Sequence, residues 1–354
     1  MHKYPRVVID LHKVEKNTKL MVEKCSSSNL SVMGVTKAFC AEPEVVGAMV
    51  RGGISYIADS RIDNIKKLTR YEVPKVLLRL PMKSEIDELV EIVDISLNSE
   101  LETIKAIDVA AGKLGRVHKI ILMAELGDLR EGILPEDMRM IVDEVVKLEN
   151  IVIAGVGVNL TCYGGVIPSE DNLGELLKLA EIIKKEYGIK LEIISGGNSS
   201  SLYLVDEGRM PEGINNLRLG EAIILGRETA YGEIVEGAET DTYVLQAEII
   251  ELKRKPSIPT GEIGMDAFGN KPKFEDRGVR ARAILAVGRQ DIDPDGLISR
   301  DPNITVIGAS SDHLIMDVEE SENEYKIGDI LSFDLEYGAL LKAMTSNYIG
   351  KDFV

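Results

Sequence analysis

Ser31-Val32-Met33-Gly34-Val35-Thr36-Lys37-Ala38 is a short apolar run that ends in a lysine. Its apolar and β-branched residues predict a buried strand, and a helix is predicted to begin near Glu42-Pro43-Glu44. A lysine at the carboxyl end of a buried strand is unusual, because burying an ammonium group costs several kcal/mol unless it is paired or neutralised. Lys37 therefore either reaches solvent at the strand end or is one of the buried lysines that form Schiff bases.

Composition and charge bound the class of protein before any motif is considered. The 354 residues are 44% hydrophobic and 29% charged, which is typical of a soluble globular chain with two domains. A net charge of -17 argues against a nucleic-acid partner, because phosphate binding needs a basic face. The sequence shows no apolar run that could span a membrane and no signal-peptide core. Its three cysteines, Cys25, Cys40 and Cys162, lack metal-site spacing, so we expect a cytoplasmic protein without a bound metal.

Strand-like and helix-like segments alternate along the first two thirds of the chain. A helix is predicted from about Lys13 to Cys25, and Ser99 is the predicted N-cap of a later helix. Strands are predicted near residues 32–37, 54–58, 75–80, 93–97, 119–125, 151–158, 190–195 and 214–219. Helical segments are predicted at 42–51, 60–70, 84–91, 99–115, 136–149 and 169–187. Eight strands, each followed by a helix or a helical turn, over roughly 220 residues predict a (β/α)8 barrel. A doubly wound open sheet is the alternative, although no Gly-x-Gly-x-x-Gly follows the first strand.

The pattern changes after about residue 230, where short strand-like segments are separated by turns. No long amphipathic helix is predicted there, so we expect a second, all-β domain. The predicted fold class is therefore α/β, a TIM barrel followed by a smaller all-β domain. The barrel is predicted over residues 8–228 and the β-domain over residues 229–354, with a strand in residues 1–7 packed on the β-domain.

The residues that follow the predicted strands matter most, because a (β/α)8 barrel carries its chemistry at the carboxyl ends of the strands. Lys37 ends the first strand and Asn159 follows the sixth. Segment 127–132, which contains Arg130, follows the fifth strand, segment 195–201 follows the seventh, and segment 218–222 closes the eighth. We expect these side chains to meet at one mouth of the barrel.

Segment 195–201, Ser-Gly-Gly-Asn-Ser-Ser-Ser, is the best candidate for a phosphate site. Glycines let backbone N–H groups approach an anion and serine hydroxyls add donors, although Asn and Ser are also ordinary N-caps. Arg218 lies at an apolar strand end and needs a partner, either a cofactor or a buried carboxylate. A lysine, a phosphate site and a buried arginine around one mouth indicate pyridoxal phosphate, held by Lys37 through its aldehyde.

Five motifs occur in the order of a known family. They are Val35-Thr36-Lys37-Ala38, Glu125-Leu126-Gly127-Asp128-Leu129-Arg130-Glu131-Gly132, Gly197-Asn198-Ser199, Arg218-Leu219-Gly220 and Thr345-Ser346-Asn347-Tyr348. Together they resemble the alanine racemase family, the fold type III pyridoxal-phosphate enzymes, and within it the alanine/ornithine racemase branch. The resemblance covers nearly the whole chain, and the motifs are specific as a set although each is weak singly.

The resemblance implies a role for each motif. Lys37 would bind the cofactor and act as the base on one face of the substrate. Arg218 would donate a hydrogen bond to the pyridine nitrogen and keep it unprotonated, which favours racemisation over transamination. Asn159 stands where the family has a histidine against the ring. The residues implied to bind the cofactor are Lys37, Arg130, Asn159, Asn198, Ser199, Arg218, Gly220, Glu221, Ala222 and Tyr348.

The second proton-transfer group is where the sequence departs from the family. Alanine racemases use a tyrosine from the β-domain of the other subunit, and Met265 stands at the corresponding position. Asp266 is the nearest replacement, or else an ordinary surface aspartate. Segment 310–313, Ser-Ser-Asp-His, resembles another β-domain contribution, which makes Asp312 and His313 candidates as well. Ser and Asp are also common in β-turns. The resemblance implies a homodimer with shared active sites.

We therefore predict an isomerase, a pyridoxal-phosphate-dependent amino-acid racemase that uses two-base proton transfer. Ornithine is the favoured substrate, with alanine and lysine as alternatives. A second hypothesis is a pyridoxal-phosphate homeostasis protein without turnover, but relatives of that kind resemble the barrel alone and leave residues 231–354 without a role. Decarboxylation of a basic amino acid is the third hypothesis, and the cysteine-bearing motif of such enzymes is not found.

Overall fold

The computed structural model describes residues 3–269 and 271–354. Its contacts divide the chain into two units. One unit is Leu11–Thr240, and the other combines the N-terminal residues up to Asp10 with Asp241–Val354. These limits lie near the predicted ranges 8–228 and 229–354. The first strand, β1 (Arg6–Ile9), belongs to the second unit.

The unit Leu11–Thr240 is built on eight parallel strands that close into a barrel in chain order, which confirms the predicted fold. Each strand lies at one of the predicted apolar runs. The strands are β2 (Ser31–Val35), β3 (Tyr56–Asp59), β4 (Lys75–Leu77), β5 (Ile95–Asn98), β6 (His118–Ala124), β7 (Ile151–Val158), β8 (Ile193–Asn198) and β9 (Asn216–Leu219). The last strand pairs with the first through Ser31↔Asn216 and Gly34↔Leu219, so the end of β9 lies beside the end of β2.

Helices connect the strands of the barrel. They are α1 (Leu11–Ser26), α2 (Pro43–Arg51), α3 (Ile62–Lys66), α4 (Ile86–Ile92), α5 (Leu101–Lys113), α6 (Met138–Val145), α7 (Glu170–Tyr187), α8 (Leu202–Asp206) and α9 (Glu221–Leu225). The predicted cap at Ser99 is wrong. Helix α5 begins at Leu101, and Glu100 takes the N-cap position without a capping hydrogen bond from its side chain. Strand β5 runs as far as Asn98, so Ser99 lies one residue too early to cap the helix.

The interior of the barrel is apolar on most strands. Alternate residues of the strands point inward and pack into one cluster. Its buried members are Met33, Val35, Ala58, Val76, Ile95, Leu97, Ile121, Met123 and Ile193. On β9 the corresponding register positions are polar, since Asn216 pairs with Ser31 and Arg218 pairs with Met33. The barrel interior therefore has an apolar side and a polar side, and the polar side is where Arg218 lies.

The second unit is a mostly antiparallel sheet. Its remaining strands are β10 (Tyr243–Pro256), β11 (Val279–Leu285), β12 (Leu297–Ser299), β13 (Thr305–Ala309), β14 (Leu314–Asp317), β15 (Ile330–Leu335) and β16 (Gly350–Phe353). The order is β12-β15-β10-β11-β14-β13, and β1 pairs antiparallel with β10 and parallel with β16. The expectation of an all-β domain misses one helix, α10 (Tyr337–Thr345). Its nine residues bury Ala339, Leu340, Ala343 and Met344 on one face. A helical pattern this short does not stand out in the sequence.

Among the described residues, no helix has the length and apolar character needed to cross a membrane.

The buried His118 lies on the outer side of the barrel wall. Side chains alternate along β6, and its residues Ile121 and Met123 point into the barrel. His118 Nε2 is 2.8 Å from Ser96 Oγ, and Asn98 Nδ2 donates to the same hydroxyl at 2.9 Å. Burial lowers the pKa of His118 to about 4, while the charge of Asp94 opposes that shift. The histidine is therefore neutral in the native protein at neutral pH.

Acidification is expected to destabilise the protein through His118. The unfolded chain has a histidine pKa of about 6.5, so it takes up this proton before the native state does as the pH falls. The free energy of unfolding should then drop by roughly 2 kcal/mol between pH 7 and pH 5. Urea unfolding of the wild type and His118→Gln at several pH values measures this, and the variant should lack that part of the loss. A constant difference between the two proteins across this range would contradict the assignment.

Candidate active site

Lys37 lies directly after β2, at the start of the helical turn Lys37–Phe39. Its side chain is half-buried, and no described residue forms a hydrogen bond or an ion pair with its ammonium group. Gly220, which follows β9, lies against the same strand end. A Cβ on Gly220 would approach Val35 Cβ to 3.2 Å, so a glycine there lets the two strand ends pack closely.

A buried carboxylate holds the residue that precedes Lys37. Asp59, at the end of β3, is fully buried, and its carboxylate accepts from Thr36 Oγ1 at 2.6 Å. It also accepts from Asn64 Nδ2 at 3.0 Å and from Arg61 N at 2.9 Å. Burial raises the pKa of Asp59, and these hydrogen bonds oppose the shift. Asp59 thus ties the ends of β2 and β3 to the start of α3, a role that no local sequence pattern indicates.

Arg218 is buried in the barrel with neutral partners. It is 5% exposed, Nη1 donates to Ser195 Oγ at 2.6 Å, and Nη2 donates to the Val158 carbonyl at 2.7 Å. No carboxylate of the described chain forms an ion pair with it. Burial lowers the pKa of Arg218 to about 10, so the guanidinium stays charged at neutral pH. The sequence predicts either a cofactor or a buried carboxylate as the partner of Arg218, and the described residues provide no such carboxylate.

Asn159 lies between the two arginines of the predicted site. Its amide oxygen accepts from Arg218 Nη2 at 3.3 Å, or, with the amide rotated, from Arg130 Nη1 at 2.9 Å. Arg130 also forms an ion pair with its neighbour Glu131. The structure therefore brings Arg130, Asn159 and Arg218 together.

The loop that carries Arg130 is held by two carboxylates. Glu125 accepts from the backbone N–H groups of Gly127 at 2.6 Å and Leu129 at 3.0 Å. Asp128 is fully buried and accepts from Tyr163 N at 3.0 Å and Gly164 N at 3.1 Å, in the loop after β7. Asp128 belongs to the same sequence motif as Arg130, but its bridging of two loops depends on a contact 35 residues away that no local pattern reveals.

The predicted phosphate loop lies beside the start of α9. Asn198 begins the turn Ser199–Ser201: its Oδ1 accepts from Ser200 N at 2.8 Å, and its Nδ2 donates to the Leu160 carbonyl at 2.9 Å. Ser199 Oγ accepts from Ala222 N at 3.2 Å, which brings the loop after β8 to segment 220–222 after β9. Glu221 is the first residue of α9. This hydrogen bond places Ala222, at the end of segment 220–222, beside Ser199.

Four predicted site residues lie in the second unit. Tyr348 and Asp312 line the same cavity of about 450 Å³, together with Asp291, which accepts from Ser346 Oγ at 2.7 Å. Asp312 and His313 are exposed in the turn between β13 and β14, which the Ser310 N to His313 O hydrogen bond (2.9 Å) closes.

Asp266 is not among the residues that line that cavity. It is exposed in a segment without helix or strand, and its carboxylate accepts from Phe268 N at 2.9 Å. Met265, at the position of the family's tyrosine, is 80% exposed.

The residues at the barrel mouth fit pyridoxal phosphate on three observations. The amine of Lys37 has no partner among the described residues that would compete with an aldehyde. Ser200 Oγ is buried without a hydrogen-bond partner in the described part of the chain, next to the Ser199 hydroxyl. Arg218 uses three of its five N–H groups on protein oxygens, which leaves donors for a ring nitrogen.

Comparison with known proteins gives the family. Residues 9–228 match the model of the alanine racemase N-terminal domain. The chain is 50% identical over 352 residues to the ornithine racemase of Acetoanaerobium sticklandii, covering 99% of this chain and 100% of that relative. It is 41% identical over 350 residues to the lysine racemase of Thermotoga maritima, covering 98% of each chain.

Solved structures show the same fold at low sequence identity. The alanine racemase from a D-cycloserine-producing Streptomyces lavendulae superposes with a TM-score of 0.77 at 16% identity, over 100% of this chain and 98% of that one. The alanine racemase from Bartonella henselae, with covalently bound pyridoxal phosphate, superposes with a TM-score of 0.76 at 13% identity, over the whole of both chains. The family and the enzyme class predicted from the sequence are thus confirmed: the chain belongs to the alanine racemase family and is an amino-acid racemase.

Proposed function

We propose that this racemase binds pyridoxal phosphate at the barrel mouth and interconverts the enantiomers of ornithine. The geometric observation that carries the proposal is the half-buried Lys37, whose ammonium group has no partner among the described residues. It lies in the same barrel mouth as a buried arginine that forms no ion pair with a carboxylate of those residues. The choice of ornithine rests on the 50% identity to an ornithine racemase over essentially the full length of both chains.

When bound, pyridoxal phosphate supplies an electron sink that makes the α-hydrogen of an amino acid acidic. Lys37 would hold it and move a proton on one face of the substrate carbon. Arg218 remains charged at neutral pH, so it would donate a hydrogen bond to the ring nitrogen and would not protonate it. By keeping that nitrogen unprotonated, Arg218 would limit electron withdrawal and so favour return of the proton to the same substrate carbon.

The remaining residues of the site bind and orient. Asn198, Ser199 and segment 220–222 would contact the phosphate through hydroxyl, amide and backbone N–H groups, and Tyr348 is assigned to the same phosphate by the resemblance. Arg130 lies beside Asn159, so we assign it to the ring oxygen or the substrate carboxylate.

Asp312 is the second proton-transfer group that we favour. Three residues were predicted for this role, and Asp312 is the one that shares a cavity with Tyr348, which is assigned to the cofactor. His313 adjoins Asp312 in the same turn and is the next candidate. The only support for Asp266 in this role is that it directly follows Met265 in the sequence.

We further propose a cytoplasmic homodimer in which each β-domain completes the barrel site of the partner. Large apolar side chains are exposed on the loops around Arg130, with Leu129 73% and Tyr163 76% accessible. Apolar groups so placed are suited to burial against a second copy. The three cysteines of the sequence lack metal-site spacing, which suits a reducing compartment.

Chiral chromatography tests the substrate directly. The purified protein with added pyridoxal phosphate should convert L-ornithine to a mixture of both enantiomers, and lysine should follow at a lower rate because it differs by one methylene. A methylene in an apolar pocket is worth about 1–3 kcal/mol, a factor of roughly 10 to 200 in kcat/KM. Faster conversion of alanine or serine than of ornithine would overturn the substrate assignment.

Lys37→Ala should abolish the visible absorbance that a lysine-bound cofactor gives, together with racemisation. The exposed Lys113 at the end of α5 offers a matched control, and Lys113→Ala should keep both properties. Absorption spectra of the two variants after removal of free cofactor make the comparison. Retention of the absorbance in Lys37→Ala would show that another group holds the cofactor.

Asp312→Asn should stop racemisation while Lys37 still exchanges the α-hydrogen of one enantiomer with deuterium from solvent. NMR of each enantiomer in D₂O measures the exchange, and Asp295→Asn, an exposed aspartate of the same unit, is the control. An equimolar mixture of Lys37→Ala and Asp312→Asn chains should recover about a quarter of the wild-type activity, because half of its dimers are mixed and each mixed dimer has one intact site of two. Loss of activity in Asp266→Asn or His313→Gln, but not in Asp312→Asn, would reassign the group.

A further inference from the structure

A line of buried polar side chains runs across three neighbouring strands behind Arg218. Asn216 of β9 is the register partner of Ser31 on β2 and of Ser195 on β8. Both Asn216 and Ser195 are fully buried. Ser195 Oγ donates to Asn216 Oδ1 at 2.8 Å and accepts from Arg218 Nη1 at 2.6 Å. The guanidinium is therefore the last member of a hydrogen-bonded chain that runs from Ser31 through Asn216 and Ser195.

The direction of every hydrogen bond in this chain is fixed at its far end. Asn216 Nδ2 faces the Ser31 carbonyl oxygen at 3.3 Å and the Ser31 hydroxyl at 3.0 Å. The carbonyl can only accept, and the hydroxyl already donates its proton to the Asn215 carbonyl at 2.9 Å. The amide NH₂ of Asn216 must therefore point at Ser31, and its oxygen must point at Ser195.

The orientation of the Asn216 amide also fixes the direction in which the Ser195 hydroxyl proton points. A hydroxyl has one proton, and here that proton goes to Asn216 Oδ1, so the lone pairs of Ser195 face Arg218. The other end of the guanidinium is held by the Val158 carbonyl at 2.7 Å. Two acceptors on two strands thus fix the plane of Arg218, while its remaining N–H groups stay available for a ligand.

We propose that Ser195 and Asn216 are positioning residues for racemisation, which fix the Arg218 guanidinium as a donor to the ring nitrogen of the cofactor. The proposal rests on the proposed function of the site. Neither residue touches the reacting atoms in this scheme. They act by denying Arg218 the rotations that would let water, with its exchangeable protons, reach that nitrogen.

The expected consequence of losing this anchor is a change of reaction and not just of rate. A ring nitrogen that gains a proton withdraws electrons more strongly, so more turnovers would place the proton on the cofactor instead of the substrate carbon. In those turnovers the amino group would remain on the cofactor, which would be released as pyridoxamine phosphate, and water would supply the oxygen of a 2-oxo acid. The amino acid is oxidised and the cofactor is reduced, so the two products form in equal amounts.

Ser195→Ala and Asn216→Leu in the holoenzyme test the proposal. The kcat of racemisation should fall about tenfold with KM changed less than about twofold, and 2-oxo acid formed per racemisation should rise about tenfold. The absorption and fluorescence spectra of the bound cofactor, recorded without substrate, should acquire a pH dependence that the wild type lacks. Ser195→Thr keeps the hydroxyl and should restore both the product ratio and the spectra.

Ser96→Ala is the matched control, because Ser96 is a fully buried barrel serine whose hydroxyl bonds to His118 and Asn98 and not to Arg218. It should keep the wild-type product ratio. If Ser195→Ala fails to fold, Asn216→Leu carries the same test. Wild-type product ratio and spectra in a folded Ser195→Ala would overturn the inference while leaving the racemase function intact. A wild type that racemises no amino acid would overturn the proposed function instead, and the cofactor spectra would still decide the role of Ser195.

Discussion

The burial of one permanent positive charge is the constraint on which the barrel site depends. Moving a guanidinium into a protein interior costs several kcal/mol, and proteins usually offset this with a carboxylate. Arg218 is surrounded instead by the Ser195 hydroxyl, the Val158 carbonyl and an amide, all of them neutral. Neutral dipoles stabilise a charge only where they are held in place, so the strands around Arg218 must supply rigid, correctly directed acceptors. A carboxylate partner would have neutralised the charge that a ligand at this mouth can use.

The division of the barrel interior into an apolar and a polar side follows from that constraint. Glycines make room for the polar side where strands come close: a Cβ on Gly157 would approach Met123 Sδ to 3.2 Å and Ser195 Cβ to 3.4 Å. Lys37 is positioned by the same means as Arg218, through its neighbour Thr36 and the buried Asp59. In both places a buried, fully hydrogen-bonded polar group holds the backbone or side chain of a cation, so the cation itself remains available.

The strands and most of the mouth residues are predictable from sequence because their signals are local. Strand β7 coincides with the predicted run 151–158, where continuous apolar residues mark a strand buried on both faces. The N-cap of α5 is not predicted correctly because it depends on where the preceding strand ends. Helix α10 is missed because its apolar face is short. Asn216 and Asp128 look in the sequence like polar interruptions, because their partners lie 21 and 35 residues away. Their roles follow from strand register and loop contacts, which no periodicity encodes.

The proposed choice between ornithine and lysine depends on the length of the substrate side chain and not on its charge. Both substrates carry a side-chain ammonium group, so any acidic group that attracts one also attracts the other, and the net charge of -17 favours both. The relatives with these two substrates are 50% and 41% identical to the chain, so most of the fold can be kept while the preferred length changes. A single methylene supplies only about 1–3 kcal/mol of discrimination when the pocket is apolar, and more when a buried polar group loses its partner. Selectivity beyond a factor of roughly 200 would therefore require an acidic group placed to meet the shorter side chain and left unpaired by the longer one.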